Sequence, residues 1–420
     1  MQPKQAAKAV CRRLERAGFV ALFAGGCVRD MLLGRRPKDY DIATNATPRQ
    51  VIRLFPRSLK VGVKFGIVMV LTGGHRIEVA TFRSDSDYPD GRRPRHVHFS
   101  DPRSDALRRD FTINGMFQHP GTGKILDFVE GQKDLKRRIL RTIGPAEERF
   151  AEDHLRLIRA VRFAARFNLK IEKRTYAAIG RLDHKISRVS PERIREELKH
   201  ILTDPNAETG IKLLNDTGLL KRIVPEITQP LRAGAMLRDK PLTFAGALAA
   251  LIVGGMESHD NGRRAARKIL ARIVPSNHLR KTTLNLLRDL PKLETLKECD
   301  LADCKLWMQS PHFPDLLLLG DRAVEAGFLP SDTMRKVRTR ITGIDPHSVD
   351  PPPLLTGEDI KKLGLAESPL IGRILARIRT DQLNEKFRSK PEALQRAKEY
   401  IKNAEDGNTN RKKCLMSKSE

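Results

Sequence analysis

Two aspartates separated by one residue, Asp39 and Asp41, are the pair in this sequence best suited to chemistry. They stand at the edge of an extended run, and in a strand the side chains of residues i and i+2 point to the same face. Two carboxylates side by side repel one another unless a cation neutralises them, and hard oxygen ligands suit Mg²⁺. The spacing indicates a magnesium site, although two solvated loop acids would give the same pattern.

A glycine pair and an arginine precede these aspartates. Gly25 and Gly26 follow the strand-like run Phe19–Ala24 and open a helix, on which Arg29 lies one turn further along. Glycines let a phosphate approach the backbone, a helix N-terminus offers free N–H groups, and arginine adds positive charge. Together with the two aspartates, this contiguous segment predicts a site for a triphosphate and Mg²⁺.

A second group of charges lies in a strongly helical stretch, Glu147–Phe167. Asp153 and Arg156 are three residues apart, so on a helix they share a face. From the spacing alone, an ordinary salt bridge explains this pair. Arg159 and Arg162 continue the stripe, either toward a triphosphate or as a solvated face.

The elements that position these residues change character near residue 140. Before it, short runs rich in Val, Ile and Phe alternate with helical pieces and predict a mixed sheet; they are Phe19–Ala24, Tyr40–Ala43, Gly66–Leu71 and Arg76–Phe82. After it, the pattern is that of amphipathic helices, with a proline-rich linker at Asp345–Pro353 and a polar end from residue 404 that we expect to be disordered.

Composition limits the class of protein. The 79 Lys and Arg exceed the 51 Asp and Glu, and the net charge of +28 favours a polyanionic partner, either nucleic acid or an anionic membrane surface. No apolar run approaches the ~20 residues that a membrane helix needs. The five scattered cysteines and the absence of a secretory pattern at Met1–Phe19 predict a cytoplasmic protein.

The motif G-G-x-V-R-D…D-x-D at 25–41, followed by R-R-D-F-T-I-N at 108–114, resembles the family of bacterial CCA-adding enzymes and poly(A) polymerases, which is similar to polymerase beta. The resemblance implies nucleotidyl transfer from a nucleoside triphosphate to a 3′-hydroxyl, with two Mg²⁺ ions held by Asp39 and Asp41. Glu78 is the candidate for a third carboxylate, and a solvated strand glutamate is the alternative.

The sequence E-D-x-x-R at 152–156, followed by R-A-x-R-F, resembles the segment with which this family selects a base. The family also places an arginine of R-R-D-F-T-I-N on the incoming nucleotide, and we favour Arg109 for that contact. The predicted nucleotide-binding residues are Gly25, Gly26, Arg29, Arg108, Arg109, Asn114, Glu152, Asp153, Arg156, Arg159 and Arg162.

Three segments bear on the product. Arg83–Val97 resembles the flexible loop of CCA-adding and A-adding enzymes, with Asp90 and Arg92 as candidates for switching specificity. Gly62–Val70 and Pro353–Leu375 resemble segments of CCA-adding enzymes, and the second implies a tail that grips the tRNA elbow. The predicted activity is CCA addition to tRNA from CTP and ATP. A poly(A) polymerase, a dedicated A-adding enzyme and a catalytically silent RNA-binding protein remain the alternatives, and the oligomeric state is open.

The fold class that follows is α+β. We expect a polymerase-beta-like head with a mixed sheet at 1–140, then an all-α neck at 141–205, a body at 206–345, a tRNA-binding tail at 346–403 and a disordered end at 404–420.

Overall fold

The N-terminal part of the chain folds around a mixed β-sheet. The protein is described by a computed structural model, which covers residues 1–86, 96–239, 241–257, 259–296 and 298–416. The strands are β1 (Ala21–Ala24), β2 (Ile42–Thr44), β3 (Ser58–Leu59), β4 (Ile67–Thr72), β5 (His75–Thr81), β6 (Arg83–Ser86), β7 (His96–Phe99), β8 (Met116–Gln118), β9 (Ile125–Asp127), β10 (Ile139–Leu140) and β11 (Lys170–Ile171). Within the described residues, seven of them form one sheet in the order β3-β4-β5-β2-β1-β8-β9.

The direction of the strands explains where the predicted carboxylates meet. Strand β2 runs parallel to β5, with Ile42 opposite Val79, whereas the other neighbouring strands of this sheet are antiparallel. The predicted mixed sheet is confirmed, and the four predicted runs match β1, β2, β4 and β5 to within two residues at each end. The short strands β3, β8 and β9 carry too few residues to show a two-residue period in the sequence.

Five helices accompany the sheet: α1 (Pro3–Arg16), α2 (Gly26–Leu32), α3 (Pro48–Leu54), α4 (Pro102–Leu107) and α5 (Gly131–Lys136). Helix α1 buries its apolar side chains at helical spacing, with Val10 and Leu14 inaccessible to solvent. Where the sheet meets α4, Phe82 and Phe117 pack edge to face, with ring centroids 5.8 Å apart. This apolar layer fixes the strand ends that carry the candidate site.

The two ends of the predicted loop Arg83–Val97 lie in strands. Strands β6 and β7 pair antiparallel, with Arg83 opposite Phe99 and Ser86 opposite His96. The expectation of a mobile loop was therefore wrong for its two ends, because backbone pairing satisfies their N–H and C=O groups despite the polar side chains. Asp90 and Arg92 lie outside the described residues.

The helices that follow are α6 (Ala146–Glu152), α7 (Arg156–Phe167), α8 (Lys173–Leu182), α9 (Pro191–Leu202), α10 (Ala207–Asp216), α11 (Leu219–Ile223), α12 (Pro230–Ala235), α13 (Phe244–Gly255), α14 (His259–Ile273) and α15 (Asn277–Asp289). The single helix expected over Glu147–Phe167 is broken. Asp153 has an extended backbone, with φ −149° and ψ 104°, and its Oδ1 accepts the Leu155 N–H at 3.1 Å. An aspartate that caps nearby amide groups competes with the helix and ends it.

The remaining helices are α16 (Leu293–Leu296), α17 (Leu301–Met308), α18 (Phe313–Glu325), α19 (Thr333–Thr342), α20 (Gly357–Lys361), α21 (Pro369–Leu383) and α22 (Lys390–Met416). Helices α20, α21 and α22 share an apolar core that includes Ile360, Ile374 and Tyr400. The expectation of disorder from residue 404 was wrong as far as Met416, since α22 continues to that residue. Extending an existing helix needs no new nucleus, so a polar sequence can follow one.

The chain divides into two compact units, Met1–Arg280 and Lys281–Glu420. The division falls inside the segment expected to form the body, 206–345, so the division into head, neck, body and tail stays a prediction. In the described part of the chain, no helix is both long enough and apolar enough to cross a membrane.

Candidate active site

A cleft of about 570 Å³ in the first unit collects most of the predicted site residues. Its walls come from β2, β5, the start of α2, the segment 108–114, α7 and α9. The predicted residues that line it are Gly25, Gly26, Arg29, Asp41, Glu78, Arg108, Arg109, Asn114, Asp153, Arg156, Arg159 and Arg162. Asp39 and Glu152 do not line it.

The acidic end of the cleft lies where β2 and β5 run side by side. Asp41 directly precedes β2 and Glu78 lies in β5, and continuing the parallel register by one residue places them beside each other. Burial raises the pKa of Asp41 to about 6, and repulsion from Glu78 and Asp39 adds to the rise. Burial also raises the pKa of Glu78, against the influence of Arg109. Two half-buried carboxylates therefore share one small volume.

This arrangement has the chemistry that a divalent cation requires. Carboxylate oxygens are the ligands Mg²⁺ prefers, and a cation would offset the burial and repulsion that raise the pKa of Asp41. Asp39 is exposed beside this pair and contributes to the repulsion. Among the described residues, no three metal-ligating side chains converge into a ready-made metal cluster. The donors thus suit Mg²⁺ in type, while the complete ligand set is not preassembled.

Gly25 is required by its surroundings. Its φ is +66°, and a Cβ added there would lie 2.7 Å from Nη1 of Arg109 and 3.5 Å from the carbonyl oxygen of Asn114. A side chain at this position would strain the backbone and displace Arg109. The glycine therefore lets the 108–114 segment pack directly against the turn between β1 and α2.

Arg29 is largely engaged by the protein itself. Its guanidinium donates to Asn114 Oδ1 at 2.5 Å and to Asp30 Oδ1 at 2.7 Å, and it stacks 4.2 Å from the centroid of Phe167. Burial lowers the pKa of Arg29, while Asp30 opposes that change. The positive charge of Arg29, which was predicted to be free for a phosphate, is thus partly neutralised by Asp30. The sequence did not reveal this role of Asp30.

Asp110 is the centre of a buried hydrogen-bond network. It accepts from Nη2 of Arg159 at 2.6 Å, from Nδ2 of Asn114 at 3.0 Å and from the backbone N–H of Phe111 at 2.8 Å. Burial alone would raise the pKa of Asp110, but the Arg159 charge and these hydrogen bonds hold it far below its usual value. Asn114 joins Arg29 to Asp110, so these side chains form one continuous chain of contacts.

The two arginines before Asp110 share a partner that the sequence did not single out. Arg108 and Arg109 each pair with the buried Asp105, at 2.6 and 2.9 Å. Asp105 lies at i−3 and i−4 from them, a spacing that was available as a signal. It holds both guanidinium groups at the wall of the cleft.

Asp153 and Arg156 do not form the salt bridge that their spacing allowed as the alternative to base recognition. Arg156 donates to Glu152 at 2.5 Å, whereas Asp153 accepts from Arg193 of α9 at 2.8 Å. The break between α6 and α7 removes the shared helix face on which the expectation rested. Both side chains still line the cleft, each held by a different partner.

Helix α9 supplies a second buried carboxylate. Glu197 pairs with Arg162 at 3.0 Å and lies 3.9 Å from Arg159. Burial lowers the pKa of Arg162 to about 10 despite this partner. The run P-E-R-I-R-E-E-L at 191–198 contained Arg193 and Glu197, but charges on an amphipathic helix do not reveal which of them point inward.

The net result is a strongly basic cleft with one acidic end. Among the described residues, nine arginines and four carboxylates line it. Phe163 adds an aromatic surface, with Arg162 stacked 4.3 Å from its centroid. Such a composition suits a ligand with several phosphates and a planar base.

Comparison with known proteins agrees with this site. Residues 21–141 match the profile of the poly A polymerase head domain, and residues 168–230 match that of the "Probable RNA and SrmB- binding site of polymerase A". The CCA-adding enzyme of Geobacillus kaustophilus is 40% identical over 261 residues, which are 61% of this chain and 64% of that protein. The CCA-adding enzyme of Lactococcus lactis subsp. lactis is 44% identical over 219 residues, which are 51% and 55%. The chain thus matches less than two thirds of the length of these relatives.

Solved structures are similar over a longer span. The Bacillus stearothermophilus CCA-adding enzyme in complex with CTP has a TM-score of 0.75 and 28% identity, over 99% of this chain and all of that one. The Thermotoga maritima CCA-adding enzyme complexed with tRNA has a TM-score of 0.62 at 21% identity, over 94% of each chain, and shares the fold. Residues 21–141 thus match a poly A polymerase head domain, and the chain is similar to CCA-adding enzymes in sequence and in fold.

Proposed function

We propose that this protein adds C, C and A to the 3′ end of tRNA, using CTP and ATP and releasing pyrophosphate. The observation that carries the proposal is one cleft in which the acidic pair Asp41 and Glu78 faces a wall of arginines. The acidic end suits metal-assisted attack by a hydroxyl, and the arginines suit a triphosphate.

In this proposal Asp41 and Glu78, with Asp39 beside them, hold two Mg²⁺ ions. When bound, the ions lower the pKa of the attacking 3′-hydroxyl and neutralise the triphosphate and the leaving pyrophosphate. The protein's own contribution is to hold the two carboxylates adjacent. The register of β2 and β5 fixes that adjacency.

Arg108 and Arg109 contact the incoming nucleotide in this proposal. Asp105 holds both of them in place, and Gly25 leaves room for Arg109 at the turn. The network of Asp110 fixes Arg159 on the opposite wall. A preorganised set of donors stabilises the charge that develops in the transition state, because the enzyme does not have to reorganise.

Base selection is assigned to Asp153 and Arg156. Each is held by a separate partner, so the two groups present an acceptor and a donor in fixed positions. An acceptor for an exocyclic amine next to a donor for a ring nitrogen admits C and A and rejects G and U. The Bacillus stearothermophilus relative was solved with CTP, which agrees with such a pocket.

We place the protein in the cytoplasm, where tRNA and nucleoside triphosphates are present. The cysteines whose side chains the structure describes are free thiols. Free thiols accord with a reducing compartment.

The test is nucleotide incorporation on three tRNA transcripts, one lacking CCA, one ending in C and one ending in CC. Each is incubated with Mg²⁺ and CTP, ATP or both. We expect two C residues and then one A to be added, after which the reaction stops. Asp41→Asn should remove this activity, and Asp216→Asn, the same change at an exposed residue of α10, serves as the control.

Other products would replace the proposal. Addition of A only to the CC-ending transcript would identify a dedicated A-adding enzyme. Long A tails on any RNA would identify a poly(A) polymerase. Full incorporation by Asp41→Asn would contradict the assignment of the acidic end, and binding of RNA without incorporation would leave a silent RNA-binding protein.

A further inference from the structure

A second depression, of about 560 Å³, lies at the end of α2 in the first unit. Lys4, Arg35, Arg36, Tyr40 and Gln118 are among the residues that line it, and we call it the basic groove. It is distinct from the cleft, with which it shares no lining residue. None of the residues assigned to nucleotide binding or metal binding contributes to it.

The cations of the basic groove are not neutralised by the protein. Lys4, Arg35 and Arg36 are exposed. Within the described part of the chain, none of the three forms an ion pair, and no carboxylate lines the groove. Arg36 has only a long hydrogen bond, of 3.4 Å, to the side chain of Gln2. Unpaired cations gathered around one depression favour a polyanion as the ligand.

One aromatic ring joins the basic groove to the cleft. Arg35 lies 5.2 Å from the centroid of Phe167, on the groove side. Arg29 and Arg166, which line the cleft, lie 4.2 and 5.4 Å from the same centroid. The buried ring of Phe167 thus places Arg35 of the basic groove close to two arginines of the cleft.

We propose that the basic groove binds the phosphate backbone of the RNA whose 3′ end lies in the cleft. The inference rests on the proposed function, which puts an RNA end in the cleft, and it adds the path of the strand outside it. Lysine and arginine that contact phosphates release counterions and fix the register of a nucleic acid without reading its sequence. A narrow basic depression suits a strand of RNA, whereas a bilayer would need a broad outward face.

The test is the double variant Arg35→Glu with Arg36→Glu, assayed with a tRNA transcript lacking its last nucleotides. We expect KM for tRNA to rise about tenfold or more, and the slope of log Kd against log salt concentration to fall by about two. At saturating tRNA, kcat and KM for CTP stay within about twofold of wild type, because the cleft itself is unchanged.

A matched control is Arg49→Glu with Arg53→Glu. These exposed arginines of α3 lie on the helix that packs against β4 and β5, away from β8, and they carry the same change in charge. We expect the control to keep most of its affinity for tRNA. Equal loss in the two double variants would overturn the proposal, because only net charge would then matter.

A milder variant, Lys4→Gln with Arg36→Gln, leaves the contact of Arg35 with Phe167 intact. It therefore tests the groove without the risk that the protein fails to fold. It should still weaken tRNA binding in a direct filter assay, by a smaller factor, with an unchanged melting temperature. Unchanged binding by this variant and by the double reversal would overturn the proposal. So would a loss confined to binding of anionic lipid vesicles, which would make the groove a membrane surface.

The direct binding assay separates this inference from the proposed function. If wild type binds tRNA through the basic groove but adds no nucleotide, the proposed function fails and the groove stands. If wild type adds CCA and the groove variants bind tRNA normally, the groove fails and the function stands.

Discussion

Two carboxylates of the cleft, Asp41 and Asp110, have pKa values that the protein shifts in opposite directions. At the acidic end, burial and the neighbouring carboxylates raise the pKa of Asp41 to about 6. On the other wall, Arg159 and Asn114 overcome burial and lower the pKa of Asp110 far below its usual value. The same residue type is therefore destabilised in its charged form at one place and stabilised at the other.

The difference separates scaffold from site. Asp110 already has its partners, so its contribution is to hold Arg159 and Asn114 in position. Asp41 lacks a cationic partner strong enough to offset the effect of burial on its pKa. A titratable group whose pKa is shifted in this way, in a cleft, is typical of a functional site. A bound cation would supply at Asp41 the positive charge that Arg159 supplies at Asp110.

The largest effect should come from removing charge at the acidic end. Asp41→Asn keeps the shape of the side chain but removes a ligand charge, so we expect incorporation of CTP into tRNA to fall at least about a thousandfold. Single-turnover rates on a transcript lacking CCA measure this loss. A reduction of less than tenfold would show that the acidic end does not take part in the reaction.

Next in size is the loss of the scaffold contact. Asp110→Ala leaves Arg159 without its main partner, and we expect unfolding to become easier by about 2–3 kcal/mol. Urea denaturation followed by circular dichroism measures this change. Asp216→Ala, which removes an exposed carboxylate at the end of α10, should change the stability by less than about 0.5 kcal/mol.

The dependence of stability on pH should separate the two regions as well. The folded-state pKa of Asp110 is lowered, so its contribution is present above the unfolded pKa of about 3.9 and is lost as the pH falls toward the folded value. Wild type should therefore lose stability more steeply than Asp110→Asn between about pH 5 and pH 2. Urea midpoints over this range measure the slopes, and parallel slopes would contradict the network.

The smallest effect is expected from a change at Gly25, in the turn between β1 and α2. Gly25→Ala requires a left-handed backbone and moves Arg109, and we expect a loss of stability of about 1–2 kcal/mol with a raised KM for CTP. Gly18→Ala is the matched control, because Gly18 also has a positive φ, of +83°, but no atom lies within 4 Å of the added Cβ. An equal rise in KM for both variants would show that backbone strain, and not Arg109, is responsible.

Much of the fold follows from local sequence signals. The runs that became β1, β2, β4 and β5 are rich in branched and aromatic residues, and the glycine at 25 sits where the backbone needs a positive φ. The spacing of Asp39 and Asp41 is a local signal. Glu78 was named through the family resemblance, since the parallel pairing of β2 with β5 that places it beside Asp41 is a tertiary contact.

The partners of the arginines could not be found in the same way. Arg193 and Glu197 are distant in sequence from the groups they hold, and a charge on a helix has the same local pattern whether it faces inward or outward. The break at Asp153 was missed because its neighbours favour a helix, although its side chain caps a nearby amide group and also accepts from Arg193 in α9. Tertiary contacts decide these positions.

The most direct test of the contrast is thermal unfolding of wild type and Asp41→Asn at neutral pH, with and without Mg²⁺. Without the ion, Asp41→Asn should be at least as stable as wild type, because it removes a carboxylate whose charged form is disfavoured. Adding Mg²⁺ should raise the melting temperature of wild type and leave that of Asp41→Asn nearly unchanged. A less stable Asp41→Asn, or an equal response of the two proteins to Mg²⁺, would contradict the account.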